Sequence, residues 1–306
     1  MPSINDLLPL LRELGDLKRI RVASSAGSLA EQGFVRAWER LVAGESLEKV
    51  AFSETARAVV AAKLAGINAR VLRYGGLEPE QIASILGRAF DAATHNRLDS
   101  HFAARLREHI SGDDDAQREI EGTFPPFVES LMSQPRAGAT RPGLARVVLE
   151  PAENHAEHCF VVAVNSFLAS SVYGAKPEQA FLTGMCHHFH NAYLPDAGDV
   201  GDHLLGEYLS QIMETFRQNA IEQLPASLQT PARASLNAVY RADTPESKAF
   251  QAGDSLDRVL EMEWHARTSE FTLSVALDDM DIIHPGPVQE FQLELMRETG
   301  FKKPKE

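Results

Sequence analysis

The stretch "FLTGMCHHFHNAYLPDAG", from Phe181 to Gly198, concentrates residue types that do chemistry. His187, His188 and His190 stand at the end of an apolar run, and Asp196 follows in a turn-rich segment. A neutral imidazole binds a transition ion through one ring nitrogen. Crowded imidazoles therefore fit a metal site; a solvated helix end is the competing explanation. Upstream, "ENHAEHC" adds His155, Glu157 and His158. Cys159 and Cys186 each adjoin one of these histidines and read as buried free thiols.

These residues need elements to bring them together. "ENHAEHCFVVAVNSFLASSVYGAKPEQAFLTGMCHH" reads as a helical hairpin. Its first helix starts near Glu157 and ends by Val172. Gly174 is the stop, Pro177 opens the second helix, and that helix runs to about His188. At 1.5 Å rise per residue, His158 and His187 both lie about 15–20 Å from the turn. In an antiparallel pair they share one end, two corners of a metal site. A third corner should be anionic. "PESKAFQAGDSLDRVLEMEWHAR" is a further helix with Asp254 near its middle, behind the small pair Ala252–Gly253. A mid-helix aspartate is unfavourable by propensity and costly if buried alone. A bound cation removes both costs. Asp257 shares that face, and solvation of both carboxylates is the alternative.

A histidine early in one helix, a His-Asp pair ending the next and a distant aspartate form the signature of the HD-domain superfamily, all-helical metal-dependent phosphohydrolases. This chain resembles that superfamily, and most closely its 5′-deoxynucleotidase-like branch. "RPGLARVVLEPAENHAEHCFVVAV" is similar to the branch's opening, an arginine pair before a Glu-Asn-x-x-Glu-His motif. "PESKAFQAGDSLDRVLEMEW" is similar to its closing helix, where a small residue precedes the last ligand. The likeness spans residues 141–267 and leaves the N-terminal part uncovered. It implies an HD-type helical bundle in which His158, His187 and Asp254 ligate one divalent transition ion. The dipeptide's aspartate falls on His188, a departure. The family's glutamate, which polarises water or leaving group, falls on Asn191. Asp196 matches an aspartate near the substrate phosphate. Arg141 and Arg146 match arginines that hold phosphate or base.

The departures carry consequences. A histidine in place of a carboxylate raises the charge of the metal centre by about one unit and shifts preference from Mg²⁺ or Mn²⁺ toward Zn²⁺, Fe²⁺, Co²⁺ or Ni²⁺. Adjacent residues of a regular helix point about 100° apart, so His187 and His188 bind together only where the helix ends. Asn191 can contact substrate but accepts no proton. Acid–base work then falls to Asp196 or Glu157, with Asp199 also near in sequence.

The rest of the chain is helical by periodicity. "NDLLPLLRELGDLKRI" carries a leucine stripe, "SLAEQGFVRAWERLVAG" is bounded by Ser28 and Gly44, and Pro79 opens another helix. "ARVLRY" and "ARVVLE" are the doubtful strands. "MSQPRAGATRPG" has linker composition, which places a boundary near residue 135 between an N-terminal helical region, 1–135, and an HD-like domain, 136–306. His95, His101 and His109 lack ligand spacing and read as surface residues. Net charge is −13, so a nucleic-acid polymer is excluded as a partner, while a small phosphorylated molecule remains compatible. Only two cysteines and no membrane-length apolar run point to a cytoplasmic chain; a homo-oligomer stays open. The functional expectation is hydrolysis of a small phosphomonoester, with metal ligands His158, His187, His188 and Asp254. Two others compete. A degenerate HD module would sense a ligand or bind a protein. An iron oxygenase would use His203 as an extra ligand.

Overall fold

From His155 to Ser170 every side chain of one helix is buried. A helix with no polar face has to sit in the middle of a structure. This helix, here α8 (His155–Tyr173), is the axis of the molecule's main unit. Its start is a capping box. The Asn154 side chain accepts from the Glu157 N–H at 2.9 Å, and the Glu157 carboxylate accepts from the Asn154 N–H at 2.9 Å. Gly174, at φ +68°, ends it in the left-handed conformation.

The computed structural model describes residues 3–23, 25–110, 123–138, 140, 143, 146–270, 290 and 293. Helices α1 (Ile4–Gly15), α2 (Leu29–Val42), α3 (Leu47–Leu64), α7 (Pro126–Ser133) and α9 (Pro177–Cys186) pack against α8. Helices α4 (Ala69–Tyr74), α5 (Pro79–Thr94) and α6 (Ser100–Arg107) extend from α3. Helix α10 (Gly198–Leu205) leads into α11 (Leu209–Glu222) and α12 (Ala226–Ala238), and α12 lies on α9. Helix α13 (Pro245–Glu270) follows. Every named element among the described residues is helical, with isolated bridges only, so the fold class is all-α. "ARVLRY" is helix α4 rather than a strand, because the Asn68 side chain caps it by accepting from the Val71 N–H at 3.0 Å. The described part of "ARVVLE" forms neither helix nor strand. Ser28 and Pro79 do open α2 and α5.

Two close approaches set the spacing around α8. A Cβ on Gly184 of α9 would meet the Ala163 backbone at 2.4 Å, and one on Gly253 of α13 would meet the Ser166 backbone nitrogen at 2.7 Å. Only glycine lets α9 and α13 come this near. His187 then lies one turn past Gly184, and Asp254 directly after Gly253.

Met1–Leu260 form one compact unit and Glu261–Glu306 a second. In the second, Glu261 and His265 pair at 3.1 Å along α13. The boundary expected near residue 135 lies inside the first unit. Fully buried Trp38, on α2, meets Phe127 at 5.1 Å and Phe189 at 5.6 Å between ring centres, and Phe127 meets Phe189 at 4.6 Å. Such pairs contribute about 0.5–1.5 kcal/mol each beyond burial. The linker-like stretch is also pinned. Arg136 N–H donates to the Glu153 carbonyl at 3.0 Å, and His155 N–H to the Gln134 carbonyl at 3.1 Å. Pro135 suits an irregular chain path, and residues 134–136 run along the start of α8. Among the described residues no helix is long and apolar enough to cross a membrane.

A chain beginning at residue 136 would leave α8 without α1, α2, α3 and α7. It is expected to show no cooperative unfolding transition by circular dichroism. A sharp transition in that fragment would establish 136–306 as an independent domain.

Candidate metal centre

Helix α8 places His155 in its first turn and His158 one turn on. Helix α9 ends at Cys186, with His187 as its C-cap, and His188 follows before a 3-10 turn, Phe189–Ala192. The helix therefore stops between the two adjacent histidines, which frees both rings to face one point. Helix α13 supplies Asp254 and Asp257.

The outer nitrogens fix the tautomers. His187 Nδ1 lies 2.7 Å from the Gly184 carbonyl, which only accepts, so Nδ1 carries the proton. His158 Nδ1 lies 2.8 Å from the Asp257 carboxylate and donates to it. His188 Nδ1 lies 2.7 Å from Asn191 Oδ1, and the Asn191 amide is oriented by donating Nδ2–H to the Leu194 carbonyl at 3.1 Å. Each imidazole is left with an Nε2 lone pair. His158 Nε2 and His187 Nε2 face each other at 3.2 Å. Two lone pairs at that distance repel unless a cation sits between them. Nitrogens bound tetrahedrally at about 2.0–2.1 Å to one ion lie about 3.3 Å apart. The Asp254 carboxylate adds an oxygen 3.4 Å from His158 Nε2 and 3.9 Å from His187 Nε2. His158, His187 and His188 each offer a ring nitrogen within 4.8 Å of the others. Buried His and carboxylate groups able to hold a metal ion are thus present, and their donor set fits one.

A second such group, Glu153, His158 and Asp257, already holds a cation of the chain's own. The Lys18 ammonium, its side chain 1% exposed, pairs with Glu153 at 2.7 Å and with Asp257 at 2.8 Å. Burial would raise the Asp257 carboxyl, but Lys18 and the His158 hydrogen bond hold it below its ordinary value. Burial opposes the charge on Asp254 too, and its contacts with His158 and His187 and its pairing with Arg258 at 2.8 Å hold the carboxyl below its ordinary value. Glu153 is likewise held down against burial by Lys18 and Arg136.

The other expected site residues are placed differently. Asn191 orients His188 and is committed to that task. Glu157 is 2% exposed, closes the capping box and stands 3.9 Å from Arg21, at the start of α8. Burial raises its carboxyl above the usual range. Asp196 accepts from the Ala137 and Gly198 N–H groups at 3.0 and 2.9 Å and lies 3.7 Å from His155 Nε2, so it pins the loop beside the imidazoles. Arg146 is exposed and donates to the Ala197 carbonyl at 3.2 Å. Arg141 lies outside the described residues. His203 is exposed on α10. Cys159 and Cys186 are buried free thiols.

Two participants escape a motif-based reading, Lys18 and Arg136. Lys18 left one signal. Leu7, Leu11 and Leu14 form a helical stripe whose next position is 18, so a charged residue falls where an apolar one is due. In comparisons with protein-family models, curated proteins and solved structures, nothing matches this chain.

Burial lowers His187 from 6.5 to about 3, His190 to about 3 and His155 to about 2, and it takes His188 well below its ordinary value. These rings stay neutral in the folded chain where unfolded ones take protons. Between pH 6.5 and about 3 the unfolded state binds more protons, so stability is complete above this window and falls as pH drops through it. For the metal-free protein each such imidazole is expected to remove about 1.4 kcal/mol per pH unit below pH 6. Urea unfolding at pH 7 and pH 5 measures this; equal midpoints would mean the rings are not buried and neutral.

Proposed function

We propose that this chain is a metal-dependent phosphohydrolase of HD-like architecture that acts on a small phosphomonoester. His158, His187, His188 and Asp254 are its metal ligands. One observation carries the reading. Three imidazoles have their outer N–H groups anchored, by Asp257, Gly184 and Asn191; the free nitrogens of His158 and His187 face each other beside a carboxylate, and His188 offers a ring nitrogen within 4.8 Å of theirs. Outer anchors of this kind are what metal-bound histidines require.

Three nitrogens and one oxygen favour Zn²⁺, Fe²⁺, Co²⁺ or Ni²⁺ over Mg²⁺. A divalent ion held there supplies Lewis acidity and lowers the pKa of bound water toward about 7. The chain's residues do the rest. Asp257 and Lys18 keep the His158 proton on Nδ1. Asp254 adds the negative charge that three neutral rings lack. Asp196, fixed by two backbone N–H groups at the imidazole cluster, orients water or the leaving oxygen. A second reading has a specific support. Asn191 and Glu157 are both committed to structural hydrogen bonds, which leaves Asp196 as the one proposed acid–base residue at the cluster. That favours a metal-holding, ligand-binding module without turnover.

Purified protein is expected to carry about one transition ion per chain by elemental analysis, and His187→Ala to lose it. Full occupancy in the variant would remove His187 from the ligand set. A phosphomonoester screen of the metal-loaded chain separates the readings: release of phosphate supports the hydrolase, and metal without release supports the binding module.

His188→Asp replaces a nitrogen by a harder, charged oxygen. Affinity is expected to move toward Mn²⁺ and away from Zn²⁺. Unchanged affinities for both ions would show that His188 does not bind the metal.

A further inference from the structure

Beside the proposed ligands lies a polar group that metal binding leaves unused. His155 is 0% exposed, and neither of its ring nitrogens has a hydrogen-bond partner. His190 is 8% exposed and leaves Nδ1 buried and unbonded. Arg136 holds Nη1 buried without a hydrogen bond, 3.5 Å from a Glu153 carboxylate oxygen. The His188 ring adjoins both histidines, 4.7 Å from His155 and 5.6 Å from His190 between centres.

These histidines differ from the three at the centre. His158, His187 and His188 each have an outer N–H anchored by the protein; His155 has no anchor on either nitrogen. With Asp196 3.7 Å from His155, a second metal is the first thought. Yet among the described residues no third donor joins these two within 4.8 Å of both. The missing partner must instead accept hydrogen bonds. A buried donor without a partner costs about 1–3 kcal/mol. Buried guanidinium and imidazole nitrogens that lack hydrogen bonds, Nη1 of Arg136, both ring nitrogens of His155 and Nδ1 of His190, suit a compact oxyanion.

The charge balance selects when such a guest enters. Asp254, Asp257, Glu153 and Asp196 carry four negative charges, and Lys18, Arg136, Arg258 and Arg217, which faces His190, four positive ones. A divalent ion turns this balance into a surplus of two. An anion is then drawn to the site by the metal and has no net attraction without it.

We propose that Arg136, His155 and His190 form an oxyanion subsite next to the candidate metal centre, one that receives the phosphoryl group of the substrate. The subsite rests on the metal-dependent reading above. It assigns phosphate recognition to a residue of the linker-like stretch, held by its backbone pairing with Glu153, rather than to exposed Arg146.

Inorganic phosphate is the probe. Metal-loaded protein, desalted and assayed for metal, is titrated with phosphate by calorimetry, as wild type and as Arg136→Met. Wild type is expected to bind phosphate, and the variant to bind about tenfold or more weakly with its metal content unchanged. In parallel, histidine-¹⁵N spectra of the wild type are expected to show His155 and His190 shifting with phosphate, which decides the matter should the variant fail to fold. Equal affinity in Arg136→Met, still His155 and His190 resonances, or a metal-loaded chain indifferent to phosphate overturns the subsite and leaves the metal centre standing. A chain that takes up no metal overturns the reading itself, and the subsite with it.

Discussion

Asp257 accepts two hydrogen bonds on one oxygen, from Lys18 and from His158, each at 2.8 Å. Much of the site follows from that atom. A buried carboxylate is tolerable only when compensated, and here an ammonium and an imidazole N–H compensate it. Removing one partner of such a buried pair costs about 3–5 kcal/mol, because the other charge stays behind. The same arrangement fixes chemistry. An ionised Asp257 can only accept, so His158 must donate through Nδ1 and must present Nε2 to its neighbours. Lys18, just past α1, thereby sets the tautomer of a histidine 140 positions later.

Geometry then depends on how near the helices come. Side chains at Gly184 or Gly253 would push α9 or α13 off α8, and the His158–His187 separation of 3.2 Å would open. The sharp end of α9 matters as much. On a continuing helix His187 and His188 would diverge; the C-cap at His187 and the following 3-10 turn let the second ring swing back, where Asn191 holds it. His188 and Asn191 are therefore mutually consistent. An imidazole that presents one nitrogen needs an acceptor for the N–H on the other, and the Asn191 amide oxygen provides one without adding charge.

The N-terminal helices are part of this construction. Trp38, Phe127 and Phe189 make one aromatic cluster from α2, α7 and the turn after α9. That cluster backs the loop that carries His188 and His190. Residues 134–136 run across the start of α8 and bring Arg136 into electrostatic reach of Asp196, Asp254 and Asp257. Composition marks such a stretch as irregular. It does not say whether irregular chain is loose or bound down by backbone pairing.

The sequence by itself determined the helical class, the hairpin of α8 and α9 and the shared end at which His158 and His187 meet. These follow from period, stop residues and rise per residue, all local properties. It also marked Asp254, because a mid-helix aspartate behind two small residues breaks a local rule. The tertiary structure alone decided the partners. Which residue anchors each imidazole, that Glu157 serves the helix start, that Asn191 serves His188, and that Lys18 fills the second acidic group all depend on contacts between segments far apart in the chain. Such contacts are set by how closely whole helices pack, and no local pattern encodes a distance between two helices. Lys18 shows where the line falls: its place on an apolar stripe announces burial, and only the fold names the carboxylates that make that burial possible.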